Sequence, residues 1–419
     1  MDSIALAPED RAILDLESST VAGHACKVVR LAPGGPSVAD LRVSIGGRLA
    51  AAPALTRRLG GTATAPEWEP DPEFDIAQHV VQSPLPEPVG DAGLRAEVAR
   101  LFEQRLDRSR PLWRIDTVDL SDGGTALIWR LHHAVADGTA SMRYARGLLW
   151  DTAAGPDPAA VTHRHAAAHQ ADDARRRGHL AGFLRREFAR SRTRSPFDQS
   201  IGTRRAVAFS NASLHDLHDA AAAIDGATLN DAVLSVVAGA LRRWVEHHHG
   251  SLGDVRCRIP VSLHDEGDAA GNRDSYFSVA LPLCERDPAR RLRAVHEATT
   301  LRKAEHDAET MDHLLRELGR ASPRLERFCV QLEDSPRRFA VAVSNIPGPR
   351  ETPTVRGSAV LALHTVAEIG ERHALRVSVV SLAGVLFFGF CADPAVVADV
   401  SAMADGVEAE AEALVAAAG

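Results

Sequence analysis

The run TALIWRLHHAVADG, residues 125–138, decides how the rest of the chain is read. Alternation over Thr125–His133 predicts a strand. Leu127, Trp129, Leu131 and His133 take one face, and Ala126, Ile128, Arg130 and His132 the other. Asp137 and Gly138 end the strand, and Met142, Ala145, Leu148 and Leu149 then recur at helical spacing up to about Trp150. Strand, turn and helix follow one another, with two histidines and a carboxylate at the junction. A neutral histidine takes a proton from a hydroxyl and returns it to a leaving group. An aspartate here can cap the helix or pair with an arginine, and a glycine permits close approach or a positive φ.

The pair His132-His133 admits three readings. A metal site would take Asp137 as third ligand, but adjacent histidines on a strand diverge and no HExxH spacing accompanies them. A satisfied pair of core histidines is the bland reading. A general base is favoured because the aspartate and the turn glycine come with the pair. Nothing supports a serine nucleophile, since no GxSxG occurs, or a nucleotide cofactor, since neither GxGxxG nor a phosphate-loop pattern occurs. The triple His247-His248-His249 ends a helix and reads as a solvated C-terminal turn.

Around this stretch lie 419 residues, 45% hydrophobic and 25% charged, enough for two or three domains with real cores. The net charge of -8 argues against a nucleic-acid partner. The five cysteines, Cys26, Cys257, Cys284, Cys329 and Cys391, are scattered and form no CxxC, which fits a reducing cytoplasm. The N-terminus is acidic and does not read as a secretory signal. The longest apolar region, 377–391, is interrupted by Ser378, Ser381, Gly384 and Gly389 and is too short to span a bilayer. It reads as two strands with a turn near Ala383-Gly384, so membrane contact would be peripheral.

The chain divides into residues 1–150, an Ala-, Arg- and His-rich connection at 151–200, and residues 201–419. The histidines from His163 to His179 read as a solvated linker. In the first segment, strands are expected at 26–31 and 113–120 and helices at 38–48, capped by Ser37, and 93–105; 68–81 reads as an ordered loop. In the last segment, strands are expected at 205–210, 255–263, 276–283, 338–344, 359–366, 374–380 and 385–390. Helices are expected at 230–247, with Thr228 and Asp231 as a capping box, and at 287–308, 311–332 and 394–418. The mixture without strict alternation predicts an α+β protein with mixed sheets.

HHAVADG resembles the HHxxxDG motif of the bacterial wax ester synthase/diacylglycerol acyltransferase family, shared more distantly with chloramphenicol acetyltransferase and peptide-synthetase condensation domains. Other segments resemble that family in the same order: Pro111-Leu112-Trp113, Asn230-Asp231 at a helix start, Gly271-Asn272 before Leu281-Pro282, and Ser344 to Pro349 (SNIPGP). The resemblance implies two chloramphenicol acetyltransferase-like domains with mixed sheets flanked by helices and a channel at their interface. It implies His133 as general base, His132 and Asp137 as supports, and Gly138 at the turn. Asn230, Asp231, Asn272 and Asn345 are then expected near the channel in supporting roles. It also implies acyl-CoA and a lipid alcohol as substrates, with no cofactor, no metal and no acyl-enzyme. The activity expected is diacylglycerol O-acylation to triacylglycerol, with wax ester synthesis on a fatty alcohol as the alternative and amide-forming condensation as a remoter one. A cytoplasmic enzyme, peripheral at a membrane or lipid-inclusion surface, is the matching location. His264 stands where an arginine is expected, and Arg57, Arg58 and Arg258 are candidate partners for Asp137.

Overall fold

Why the histidines end up at a junction follows from how the strands are shared between the two halves of the chain. The computed structural model describes residues 3–62, 64–151, 182–185, 187, 194–250, 253–262, 274–321 and 338–418. The first half runs β1 (Ile4–Ala5), α1 (Pro8–Asp15), β2 (His24–Leu31), α2 (Val38–Arg48), β3 (Arg57–Thr62), β4 (Ala65–Pro70), α3 (Ile76–His79), β5 (Val80–Gln82), α4 (Asp91–Phe102), β6 (Trp113–Asp119), β7 (Thr125–His132) and α5 (Gly138–Leu148). After the connection come β8 (Ala206–Ser213), α6 (Leu214–Ala222), α7 (Leu229–His249), β9 (Val255–Ser262), β10 (Asp274–Leu281), α8 (Pro288–Ala304) and α9 (Asp307–Ala321). The chain then continues with β11 (Val341–Ile346), β12 (Thr354–Val355), β13 (Ser358–Ala367), β14 (Leu375–Leu382), β15 (Val385–Ala392) and α10 (Val400–Ala418).

One six-stranded sheet has the order β12-β13-β2-β7-β6-β5, the other β10-β9-β11-β14-β15-β8, and a small sheet is β1-β4-β3. β5 and β6 are parallel, as are β11 and its neighbours β9 and β14, while the remaining pairs in the large sheets are antiparallel. The protein is thus α+β with mixed sheets flanked by helices. Sheet membership does not follow chain order. β13, from the last segment, pairs with β2, placing Thr365 opposite Lys27 and Ala367 opposite Ala25. Gly389 on β15 allows this crossing, since a Cβ there would run into the Thr365 carbonyl.

Alternation along β7 separates two cores, although both its faces are buried. Ala126 and Ile128 pack with Leu94, Val98 and Phe102 of α4 in a core that continues into the second half. Leu127, Trp129 and Leu131 pack with Leu41 and Ile45 of α2 and Ala145 and Leu148 of α5. The predicted helix at 38–48 forms at those bounds, because Ser37 and Asp40 make a reciprocal capping box. The turn near Ala383-Gly384 also forms; both residues have positive φ, 46° and 83°.

Some expectations need correction. The stretch 68–81 is not a loop: Trp68 lies in β4 opposite Ile4 and Leu59, and Asp75 caps α3 by accepting from the Ala77 amide at 2.9 Å. Prolines around a half-buried strand hid the alternation. α6 was not expected; Ser213 starts it by accepting from the Asp216 amide. The last helix begins at Val400 rather than 394, since Asp399 has φ 50°, which a helix does not accommodate. His306, with φ 49°, likewise breaks the expected 287–308 helix before α9. Most of the connection, including His163 to His179, lies outside the described residues. Of its described part, buried Glu187 accepts from the Ser278 amide at 3.0 Å and sits 3.3 Å from Arg256, against β9 and β10.

Candidate active site

β7 stops at His132 because the backbone leaves the ladder there. The His132 amide still donates to Leu112, but the His133 amide donates to Gly23, and the Val135 amide turns back to the His132 carbonyl, each at 2.9 Å. The two rings now have different surroundings. His132 is 3% exposed. Its Nδ1 accepts from the Ala134 amide at 3.1 Å, so its proton is on Nε2, which donates to Glu17 Oε1 at 3.0 Å. Glu17 in turn accepts from Arg105 and Arg108, both at 2.5 Å. Burial opposes ionisation of Glu17, but the bonds from His132 and Arg108 hold its carboxyl below the usual range. Gly23 closes the cradle. Its φ is +74°, and a Cβ would come 2.6 Å from His132 Nε2 and 2.9 Å from Glu17.

His133 is half-buried. Burial first, then the charge of Arg376, pushes its pKa down to about 3, with Asp137 pulling the other way. Its imidazole is therefore neutral at physiological pH, the form that accepts a proton. Asp137 is 4% exposed and caps α5, its Oδ1 accepting from the Ala140 amide at 2.7 Å. Gly138 is where the second half closes on the motif. A Cβ on it would lie 2.5 Å from Ile346 Cδ1, at the end of β11. Ile346 is held by the loop that follows it: the Gly348 amide donates to Ser381 Oγ at 2.9 Å, and Gly348 itself packs where a side chain would strike the Ser381 carbonyl.

Of the other residues singled out, Asn230 and Asn345 meet: Asn345 Nδ2 donates to Asn230 Oδ1 at 3.3 Å. Asp231 goes elsewhere. It is fully buried and accepts from the Thr228 amide at 2.9 Å and the Thr299 hydroxyl at 2.6 Å, with His296 Nδ1 at 3.1 Å. Burial works against its charge, but these donors and Lys303 keep its carboxyl below the usual range. Asp231 thus ties α7 to α8. Asn272 and His264 lie outside the described residues. Arg57 is in the β3–β4 hairpin, donating to the Trp68 carbonyl at 2.9 Å, and Arg58 lies opposite Glu69 there. Arg258 covers the rings of Phe339 and Tyr276 at 3.7 and 4.2 Å. The charges that act on the motif were missed in the sequence: Glu17, Lys27 and Arg376 are remote from it along the chain, and no spacing announces them.

No group of three or more His, Cys, Asp or Glu among the described residues is placed to hold a metal ion. The thiols of Cys26 and Cys257 are buried and pushed up to about 12, which makes them inert as nucleophiles. Among the described residues, no helix is long and apolar enough to cross a membrane.

Residues 6–189 match the wax ester synthase/diacylglycerol acyltransferase catalytic domain, and residues 270–414 match the C-terminal domain of the same family. A Mycobacterium tuberculosis protein named a probable diacylglycerol O-acyltransferase is 29% identical over 373 residues, 82% of this chain and 80% of its own. A second M. tuberculosis protein, with the same activity in a provisional name, is 31% identical over 336 residues, 68% of this chain and 69% of its own. The solved wax ester synthase/diacylglycerol acyltransferase of Marinobacter aquaeolei superposes with TM-score 0.71 at 22% identity, covering 99% of this chain and 100% of that one. The starter condensation domain of rhizomide synthetase, solved with C8-CoA and Leu-SNAC, gives TM-score 0.62 at 13% identity over 99% of this chain and 93% of its own.

Proposed function

The chain belongs to the wax ester synthase/diacylglycerol acyltransferase family, and from that premise we propose that it moves a long-chain fatty acyl group from acyl-CoA to the hydroxyl of diacylglycerol, forming triacylglycerol. The observation that carries the reading is a half-buried neutral imidazole, His133, at the junction of the two halves, beside a histidine committed to a structural bond. In the proposed step, His133 takes the hydroxyl proton as the oxygen attacks the thioester carbonyl. The C–O bond forms, the tetrahedral intermediate collapses with cleavage of the C–S bond, and the same imidazole returns the proton to the CoA thiolate. No acyl-enzyme is needed, in keeping with the inert buried thiols. Acyl-CoA is a substrate, and side chains alone supply the chemistry.

On this reading His132 and Asp137 hold the base in place, Gly138 lets Ile346 close over the turn, and Asn230 and Asn345 line a channel between the halves that admits acyl-CoA and the acceptor. A lipid acceptor implies docking at a membrane or lipid-inclusion surface without a spanning helix. Wax ester synthesis is the second reading, favoured by a family description that names both activities. The test gives purified protein a long-chain acyl-CoA with diacylglycerol, fatty alcohol or fatty amine in separate reactions and follows CoA release. Release with diacylglycerol is expected. Faster release with the alcohol selects the wax ester reading and release with the amine alone selects condensation, while none with any acceptor removes the acyltransferase reading.

A further inference from the structure

Between α1 and β2 the chain forms neither helix nor strand, yet the bonds of the histidine motif end there. Glu17 takes the His132 ring, and the Gly23 carbonyl takes the His133 amide. Outside a ladder or helix, such a segment stands where its other partners hold it. Those partners come largely from the second half of the chain. Glu368, just past β13, accepts from the Ala22 amide through Oε2 at 3.1 Å. Its Oε1 accepts from Arg205 Nε at 2.9 Å and from the Ile369 amide at 3.2 Å. Arg205, just ahead of β8, donates through Nη2 to the Thr20 carbonyl and through Nη1 to the Gly202 and Arg204 carbonyls at 2.8 and 2.9 Å. The Arg205 amide is itself fixed, donating to Glu103 at 2.9 Å. The two side chains are 2% and 5% exposed. Desolvation offsets much of the attraction in a buried ion pair, so stability alone accounts poorly for one here.

We propose that Arg205 and Glu368 are positioning residues of the histidine motif: by holding Thr20 and Ala22 they fix the segment 17–23, and so set where the His132 ring and the His133 amide find their partners. This rests on the reading of His133 as the base. Through this pair the second half of the chain places a base that the first half carries. The chain of contacts is continuous. Glu368 bonds Ala22, the next residue's carbonyl bonds the His133 amide, and Glu17 at the other end of the segment bonds His132. Arg105 holds the middle as well, donating to the Val21 carbonyl at 2.7 Å. Glu368→Gln keeps the shape but turns one acceptor oxygen into a donor, so either Ala22 or Arg205 loses its bond.

Amide hydrogen exchange of the full-length protein, read by mass spectrometry on peptides covering 17–24 and 131–137, tests this without turnover. In Glu368→Gln both segments should exchange ~10-fold faster or more, as expected when a buried bond to a charged group is lost. Glu410→Gln is the control. It likewise disturbs a buried carboxylate bonded to arginines, but one that joins α7, α8 and α10. It should leave the 131–137 peptide as it is. In CoA release, Glu368→Gln should lower kcat by up to ~10²-fold, the cost of misplacing a catalytic group by about an ångström, with the KM for acyl-CoA unchanged. Unchanged exchange at 131–137, equal acceleration there in Glu410→Gln, or an undiminished kcat overturns the proposal. If Glu368→Gln does not fold, Arg205→Lys decides: it keeps a charge beside Glu368, gives up the fork that reaches Thr20, and should accelerate the same two segments. In the unmodified protein those segments should also lose protection together as denaturant rises; a turn that opens while 17–24 stays protected overturns the proposal whether or not either variant folds. A parent protein that shows the linked exchange but releases no CoA with any acceptor instead removes the functional reading and leaves the clamp standing.

Discussion

Asp137 and Asp231 both sit at helix N-termini, both are buried, and both accept a backbone amide there. What differs is the remainder of their surroundings. Asp231 is saturated by Thr228, Thr299 and His296 and stitches two helices of one half together. Asp137 starts the helix after a turn that carries a neutral imidazole, and Ile346 from the other half lies over the adjacent glycine. An acidic cap is therefore no sign of function by itself. The charges and the second chain segment brought to it distinguish the two.

The comparison sharpens if activity and stability separate between the two helices. The largest effect belongs to the first: His133→Ala should lower kcat by ~10²–10⁴-fold with an unchanged melting temperature. Near-normal turnover in a folded variant would break the assignment of the base. Next, Asp231→Ala should destabilise by ~2–4 kcal/mol, because it leaves buried donors unsatisfied. Denaturant unfolding measures that loss, while kcat per folded molecule should hold. A stable Asp231→Ala protein with lost turnover would instead place Asp231 with Asp137. The smallest effect is steric. Gly138→Ala should cost ~1–3 kcal/mol by forcing Ile346 aside. Ile346→Val deletes the Cδ1 atom in the way and should recover part of that cost in the double variant, whereas additive losses would mean the two residues do not meet.

Local signals were legible where the chain itself supplies the partner. Ser37 with Asp40 and Thr228 with Asp231 cap helices three residues away, and alternation on β7 sorts its side chains into two cores. The 68–81 stretch was misread because its strand is stabilised by Ile4 and Leu59 and its short helix by Asp75, with prolines masking the period. Within the candidate site, the turn Leu131–Gly138 could be read in the sequence, as could its division into two histidine environments. The Glu17 bond to His132, 115 residues apart, could not, and neither could the approach of Ile346.

The sequence alone determined the strand–turn–helix that presents His133, the mixed α+β class and the order of family motifs, because these depend on contacts between residues a few positions apart. Only the tertiary structure decided that β13 from the last segment completes the sheet of the first, that Asp231 is a tie between helices, and that Glu17 holds His132. The reason is range: a cap or a period is set by neighbours in the chain, whereas burial and Coulomb interaction depend on neighbours in space.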